Sequence, residues 1–191
     1  MLRDLWSFQG RYRTLHLTWF AFFLSFVVWF NLAPLATTVR ADLGLTLGQI
    51  RTVAICNVAL TIPARVLIGM LLDKYGPRIT YSGILVFSAI PCLMFASAQD
   101  FNQLVISRLL LSIVGAGFVI GIRMVAEWFP PKEIGLAEGI YGGWGNFGSA
   151  FSALTMVALA GFLSFSGGFE LPTGAVLNWR GAIALTGIIS A

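Results

Sequence analysis

The chain has 191 residues, of which 58% are hydrophobic and 10% charged, and its mean hydropathy is +0.85. A soluble domain carries about 25% charged residues, so the composition excludes an ordinary water-soluble domain and implies a lipid bilayer as the surrounding medium. The net charge of +4 does not argue for nucleic acid, because most basic residues flank apolar segments, where they act as orientation signals.

Five apolar segments, over residues 15–35, 50–72, 79–98, 103–128 and 135–165, are long enough to cross a membrane; about 20 residues cover ~30 Å of hydrocarbon. A sixth begins near Arg180, and residues 181–191 are too few to span. The expectation is a sequence that stops inside a sixth helix, as part of a longer chain. The first segment is too long for a cleavable signal and lacks a small-residue cleavage site. Arg3, Arg11 and Arg13 precede it, Lys74 and Arg78 follow the second segment, and Lys132 follows the fourth. Arg40, Arg51 and Arg180 lie on the other side. By the positive-inside rule the N-terminus is cytoplasmic. Trp19, Trp29, Trp128 and Trp179 mostly fall near segment ends, where an aromatic belt is expected. Cys56 and Cys92 sit in apolar segments without ligand spacing and read as reduced thiols. Residues 164–178 form the longest loop, and no second soluble domain is evident.

Arg65 is the only charged residue between positions 53 and 72. Arginine keeps its proton in proteins, and a charge at the centre of a span costs at least ~2.5–3.5 kcal/mol on insertion scales. Snorkelling is a poor escape, since the polar segment at Asp73 begins ~12 Å away at helical rise. A fixed cation near mid-membrane therefore faces a cavity or a partner and suggests an anion as ligand. Pro63 leaves the carbonyl of Ala59 without its helical donor, so a local bend is expected beside Arg65.

The second segment ends in the string GMLLDKYGPR, with Gly69, Asp73, Lys74, Gly76 and Arg78 in a tight turn. Gly69 allows close helix approach, Gly76 allows a sharp reversal, and Asp73 can receive helix-end amides or a cation as a gate closes. In the fourth segment Arg108 precedes Ser112 by four residues. Near the end of its segment, Arg108 reads from the residue alone as an interface anchor. Arg123 and Glu127 stand at i and i+4 and suit a structural or gating pair; Lys74 and Arg78 are alternative partners for Glu127. The fifth segment carries six glycines between Gly135 and Gly148. Each would cost ~1 kcal/mol against alanine in a water-exposed helix, whereas in a membrane they let backbones approach. Gly135, Gly139 and Gly143 are spaced by four. Asn146 offers a carboxamide about halfway across. Read from the residues alone, this segment is a packing helix in which Asn146 bonds a neighbour. Glu138 is a further candidate for proton coupling, and His16 reads as an interfacial residue.

The turn after the second segment resembles the signature of the major facilitator superfamily, and the fourth segment is similar to that superfamily's R-x-x-x-G pattern, with Ser112 in place of glycine, a resemblance that implies Arg108 orders the helix and assists ion coupling. GGWGNFG, containing Gly142, Gly143, Gly145, Asn146 and Gly148, resembles the glycine-rich signature of the nitrate/nitrite porter family within it, as does IPARVLIGMLLDKYGPR. The resemblance covers essentially the whole chain, but only the first half of a twelve-helix transporter. It implies that Arg65 binds the anion, that Asn146 contacts it and that Phe118 packs against it. It implies an all-α membrane protein, residues 1–191 forming the N-terminal six-helix bundle truncated in its sixth helix, whose C-terminal half supplies a second substrate arginine. The expected function is secondary active transport of nitrate, nitrite or both across the cytoplasmic (inner) membrane by alternating access, with protons or an outgoing anion as the coupled species. The alternatives are a facilitator-type transporter of another small or organic anion and a non-transporting membrane sensor. With no metal cluster, nucleotide loop or nucleophile–base constellation, neither an enzyme nor a cofactor is expected.

Overall fold

The computed structural model describes residues 7–172, 174 and 176–191. Arg3, counted above among the N-terminal basic residues, lies outside them. The chain is helical except for one short hairpin. In order come α1 (Gly10–Trp29), α2 (Ala36–Asp42), α3 (Leu47–Ala59), α4 (Thr61–Ser97), α5 (Phe101–Leu111), α6 (Phe118–Trp128), α7 (Pro131–Phe162) and α8 (Trp179–Ser190). Within the segment read as a plain loop, β1 (Phe169–Glu170) pairs antiparallel with β2 (Val176–Leu177).

Among the described residues, four apolar runs are long enough to cross a membrane: Gly10–Asp42, Leu47–Ser97, Phe101–Trp128 and Pro131–Ser166. They differ from the five segments of the sequence reading because the second and third fuse into one continuous run. Gly76 divides that run. Its φ of 77° and ψ of 167° are non-helical, so α4 is two helices joined at the glycine, the reversal expected of Gly76-Pro77. Around Pro34, which lacks an N–H, the first run passes through a 3₁₀ turn, Ala33–Leu35.

Helix starts follow local chemistry. Thr46 and Gln49 form a capping box: the Thr46 hydroxyl accepts from the Gln49 amide at 3.2 Å and the Gln49 side chain accepts from the Thr46 amide at 2.8 Å. Asp100 accepts from the Gln103 amide, and Asn178 from that of Gly181. Pro131 occupies the first turn of α7, where its missing N–H costs nothing.

Helix α1 packs along α7, α4 against α8, and α3 against α5. Between them lie fully buried Leu15, Phe22, Phe95, Leu104, Leu111, Ile120 and Tyr141. The outward faces are equally apolar: Ile55, Ile62, Val66, Leu67, Met70, Leu154, Phe162 and Phe165 are all exposed. A surface of this kind suits hydrocarbon or another apolar helix, not water.

Candidate functional site

Helix α3 ends at Ala59, and Leu60, with φ −93° and ψ 3°, separates it from α4. The break lies three residues before Pro63, as the missing proline donor requires. Arg65 follows one turn into α4. Its side chain is exposed, and among the described residues it makes no hydrogen bond or ion pair. The chain leaves the guanidinium on its surface, among exposed Ile62, Val66 and Leu67.

Phe118 opens α6 and is partly buried. Its ring centroid lies 5.4 Å from that of Phe22 and 6.0 Å from that of Tyr141; Phe22 and Tyr141 stack at 4.9 Å. The Tyr141 hydroxyl donates to the Phe118 carbonyl at 3.1 Å. Glycines make room for this stack: a Cβ at Gly121 would overlap Tyr141, and one at Gly145 would overlap Phe22.

Asn146 is exposed, and its Nδ2 donates to the Gly142 carbonyl one turn back, at 2.7 Å. The carboxamide therefore folds onto its own helix, not onto a neighbour. Of the signature glycines, Gly145 and Gly148 bring α7 against α1, since a Cβ at Gly148 would overlap the Phe23 carbonyl. Gly142 and Gly143, like Gly135 and Gly139, have nothing within 4 Å of a Cβ position. The four-residue spacing of Gly135, Gly139 and Gly143 thus marks a face with no close neighbour within this chain. Arg65, Phe118 and Asn146 make no hydrogen bond to one another. Helix α6 packs against both α4 and α7, so the helix carrying Phe118 lies beside those carrying the other two.

At the Asp73 end, Arg123 Nε donates to Glu127 at 2.8 Å, and Arg123 Nη1 bridges to Asp73. All three side chains are well exposed. Lys74 lies over the Tyr75 ring, 5.1 Å from its centroid, and not against Glu127. Arg78 is exposed. Gly69 faces open space, so the close approach expected of it involves nothing within this chain. Nearby, Arg11 pairs with Glu133 at 2.9 Å. Glu138 is half-buried.

The Asp42 end holds a cluster that sequence spacing does not reveal. Arg108, read above as an interface anchor or helix-ordering group, is fully buried, so the anchor role is corrected. Its Nη2 donates to Asn31 Oδ1 at 2.9 Å, its Nη1 reaches Asn57 Oδ1 at 3.4 Å, and its guanidinium lies 4.1 Å from the Phe95 ring centroid. No carboxylate pairs with it among the described residues, and its Nε has no partner. Amide oxygens and an aromatic face thus take the place of a counter-ion. Asn31 donates on to Thr186 at 3.0 Å; Trp29 and Asn57 exchange two hydrogen bonds, at 2.7 and 2.9 Å. Buried Trp179, whose Nε1 donates to Asp42 at 2.8 Å, is an internal hydrogen-bond donor and not a member of a lipid-facing belt, while Trp29 donates inward from a partly exposed position. Their signal in the sequence was the polar partner nearby in space, which no spacing rule supplies. Cys56 and Cys92 are both free thiols. Among the described residues no three His, Cys, Asp or Glu side chains are placed to hold a metal.

Residues 18–191 match the Major Facilitator Superfamily. The chain is 64% identical to the nitrate/nitrite transporter NrtP of Picosynechococcus sp., covering 100% of this chain and 38% of that protein. It is 63% identical to NrtP of Nostoc punctiforme, covering 100% and 37%. It is 33% identical to the probable nitrate/nitrite antiporter NarK1 of Thermus thermophilus, covering 89% and 38%. The chain thus spans well under half the length of these curated relatives. Among solved structures, a bacterial homolog of the human lysosomal transporter Spinster, in an inward-facing and occupied conformation, superposes with a TM-score of 0.76 at 20% identity, over 95% of this chain and 43% of that one. That likeness shows the fold alone.

Proposed function

Because the chain belongs to the Major Facilitator Superfamily, we propose that it forms the N-terminal bundle of a secondary transporter moving nitrate, nitrite or both across the cytoplasmic membrane by alternating access. The observation that carries this reading is Arg65: a permanently charged, exposed and unpaired guanidinium on an apolar helix, one turn past a helix break. The names of its relatives support the substrate. In this reading the helices group into six spans: α1 with α2; α3 with the first part of α4; α4 beyond Gly76; α5 with α6; α7; and α8. Arg11, Arg13, Lys74, Arg78 and Lys132 then lie on the cytoplasmic side.

Nitrate and nitrite are small, planar and monovalent. A planar guanidinium offers such an anion paired N–H donors, which a lysine ammonium does not. Phe118 supplies an apolar wall. Asn146 supplies an amide once its hydrogen bond to Gly142 opens. The open face at Gly142 and Gly143 admits a close neighbour, which in this reading is the C-terminal half. Rocking of the two halves exposes the site to each side in turn. An anion entering against an inside-negative potential costs ~2.3 kcal/mol per 100 mV, so net uptake requires proton symport or exchange for an outgoing anion. Asp73, Arg123 and Glu127 form the latch at the cytoplasmic end.

Uptake of labelled nitrate by cells that depend on this gene, with its natural flanking sequence, tests the reading. Uptake that is lost on gene deletion and outcompeted by nitrite supports it. Uptake of a carboxylate in preference to nitrate would point to an organic-anion carrier, and a nitrate response without flux to a sensor.

A further inference from the structure

Two helix breaks face each other inside the bundle. One is Leu60, between α3 and α4. The other is the 3₁₀ stretch Ser112–Gly117, between α5 and α6. They are stitched together by a single residue. The Ser112 hydroxyl accepts the Leu60 amide at 3.2 Å and donates to the Leu109 carbonyl at 2.7 Å. The Ser112 carbonyl accepts from the Thr61 hydroxyl at 3.1 Å. Ser112 and Thr61 are both buried. One turn earlier on α5, Arg108 reaches Asn57 on the α3 side of the same break. So α5 grips α3 before the break and α4 just after it.

A backbone amide at a helix break, freed from the regular ladder, takes a new partner where one is at hand. At Leu60 the irregular backbone turns the amide toward Ser112, and the hydroxyl accepts it. Without a hydroxyl at position 112, the Leu60 amide loses its bond across to α5 and keeps only the Val58 carbonyl within its own turn. Arg65 lies five residues further on, in the first turns of α4, so any rotation or shift at Leu60 carries the guanidinium with it. Alanine or glycine at position 112 offers no side-chain acceptor.

We infer that Ser112 is a positioning residue for Arg65: its hydroxyl and carbonyl fix the Leu60–Thr61 break and so set the direction in which α4 presents the guanidinium to the anion. This rests on Arg65 as the anion-binding group. Ser112 itself touches no substrate.

The test uses transport kinetics in cells carrying the complete gene, normalised to the amount of transporter in the membrane, with inorganic nitrate as the probe. Ser112→Ala is expected to raise the KM for nitrate about 3- to 10-fold, the loss of one hydrogen bond, with turnover per transporter close to the parent's. Thr61→Val, which keeps the shape and removes the second stitch, shifts KM in the same direction. Ser112→Thr, which keeps the hydroxyl, restores the parent KM. In the purified protein, hydrogen exchange in the peptide spanning residues 57–64 quickens in Ser112→Ala without any substrate present. Combined with Arg65→Lys, Ser112→Ala adds little further change in KM. An unchanged KM in Ser112→Ala, or a fall in transporter amount with unchanged KM, overturns the inference. Arg65→Lys measured alongside separates the two ideas. If it transports like the parent, the substrate role of Arg65 falls and the positioning role with it. If it loses uptake while Ser112→Ala keeps the parent KM, only the positioning role falls.

Discussion

Arg108 and Asn31 meet in the interior, Nη2 to Oδ1 at 2.9 Å, with neither residue accessible to the surroundings. The charge is held by an amide where an ion pair would usually be expected. A buried cation pays a large desolvation penalty, so each of its hydrogen bonds matters. Asn31→Leu removes the shorter one and also the bond that Thr186 accepts, leaving the Thr186 hydroxyl only its bond to the Ile183 carbonyl. Losing a hydrogen bond to a charged group costs ~1.5–3 kcal/mol. The variant is expected to show a lower melting temperature in detergent and less transporter in the membrane. An unchanged melting temperature would show that the cluster tolerates the loss by rearranging.

Substitution of Arg65 by lysine keeps the charge and removes the planar fork. Losing a charge-assisted hydrogen bond costs ~1.5–3 kcal/mol, or roughly 10–150-fold in affinity. Arg65→Lys is expected to insert normally and to lose nitrate uptake at low substrate. Near-parental uptake there would reduce Arg65 to an incidental cation.

The latch proposed at the Asp73 end predicts a different kinetic signature. Glu127→Gln removes one of two carboxylates from Arg123 and leaves Asp73. Exposed ion pairs contribute little, so the change is a few-fold at most. It should fall on transport rate and leave the KM for nitrate near the parent's. Initial-rate measurements over a range of nitrate concentrations separate the two; an effect confined to KM argues against a latch.

Two signature glycines only three positions apart should respond in opposite ways. Gly145→Ala drives a methyl into the Phe22 ring, and overpacking of this kind costs ~1–3 kcal/mol. Gly142→Ala meets open space within this chain. Thermal stability of the isolated N-terminal segment should drop for the first and stay level for the second. If the complete transporter is also destabilised by Gly142→Ala, the open face is covered there by another helix.

The parts of this architecture that depend on neighbours in sequence were legible from the residues. Gly76-Pro77 announced a reversal because only a residue without a side chain adopts φ 77° easily. Pro63 announced a break because it removes one donor at a known position. Arg123 and Glu127 announced a pair because i and i+4 share a helix face. Membership of the superfamily was legible in the turn motif and in GGWGNFG. What escaped depended on distant contacts. Arg108 looked peripheral because its position was judged along one segment, whereas Asn31, Asn57 and Phe95 arrive from three others. The glycine spacing defined faces correctly but not which face meets α1; the ring of Phe22 decides that, and it lies more than 120 residues away in the chain. The capping box at Thr46 and Gln49 was readable as a local signature and marks the start of α3 more sharply than hydropathy does.

Arg180 donates from one nitrogen to the carbonyls of Ala96 and Ala98, at 2.9 and 2.6 Å, and reaches Asp42 at 3.6 Å from another. One side chain thereby ties the ends of α2 and α4 to the start of α8, and the buried Arg108 cluster binds α1, α3 and α5 just beneath. At the Asp73 end the Arg123 ion pairs face outward, and buried Tyr12, Leu72, Val125 and Phe129 supply the packing. Buried hydrogen bonds between helices are therefore concentrated at one rim of the bundle, like a clothes-peg with its spring at one end. Thermal motion will concentrate at the Asp73 rim, and that is the rim where the helices can part first.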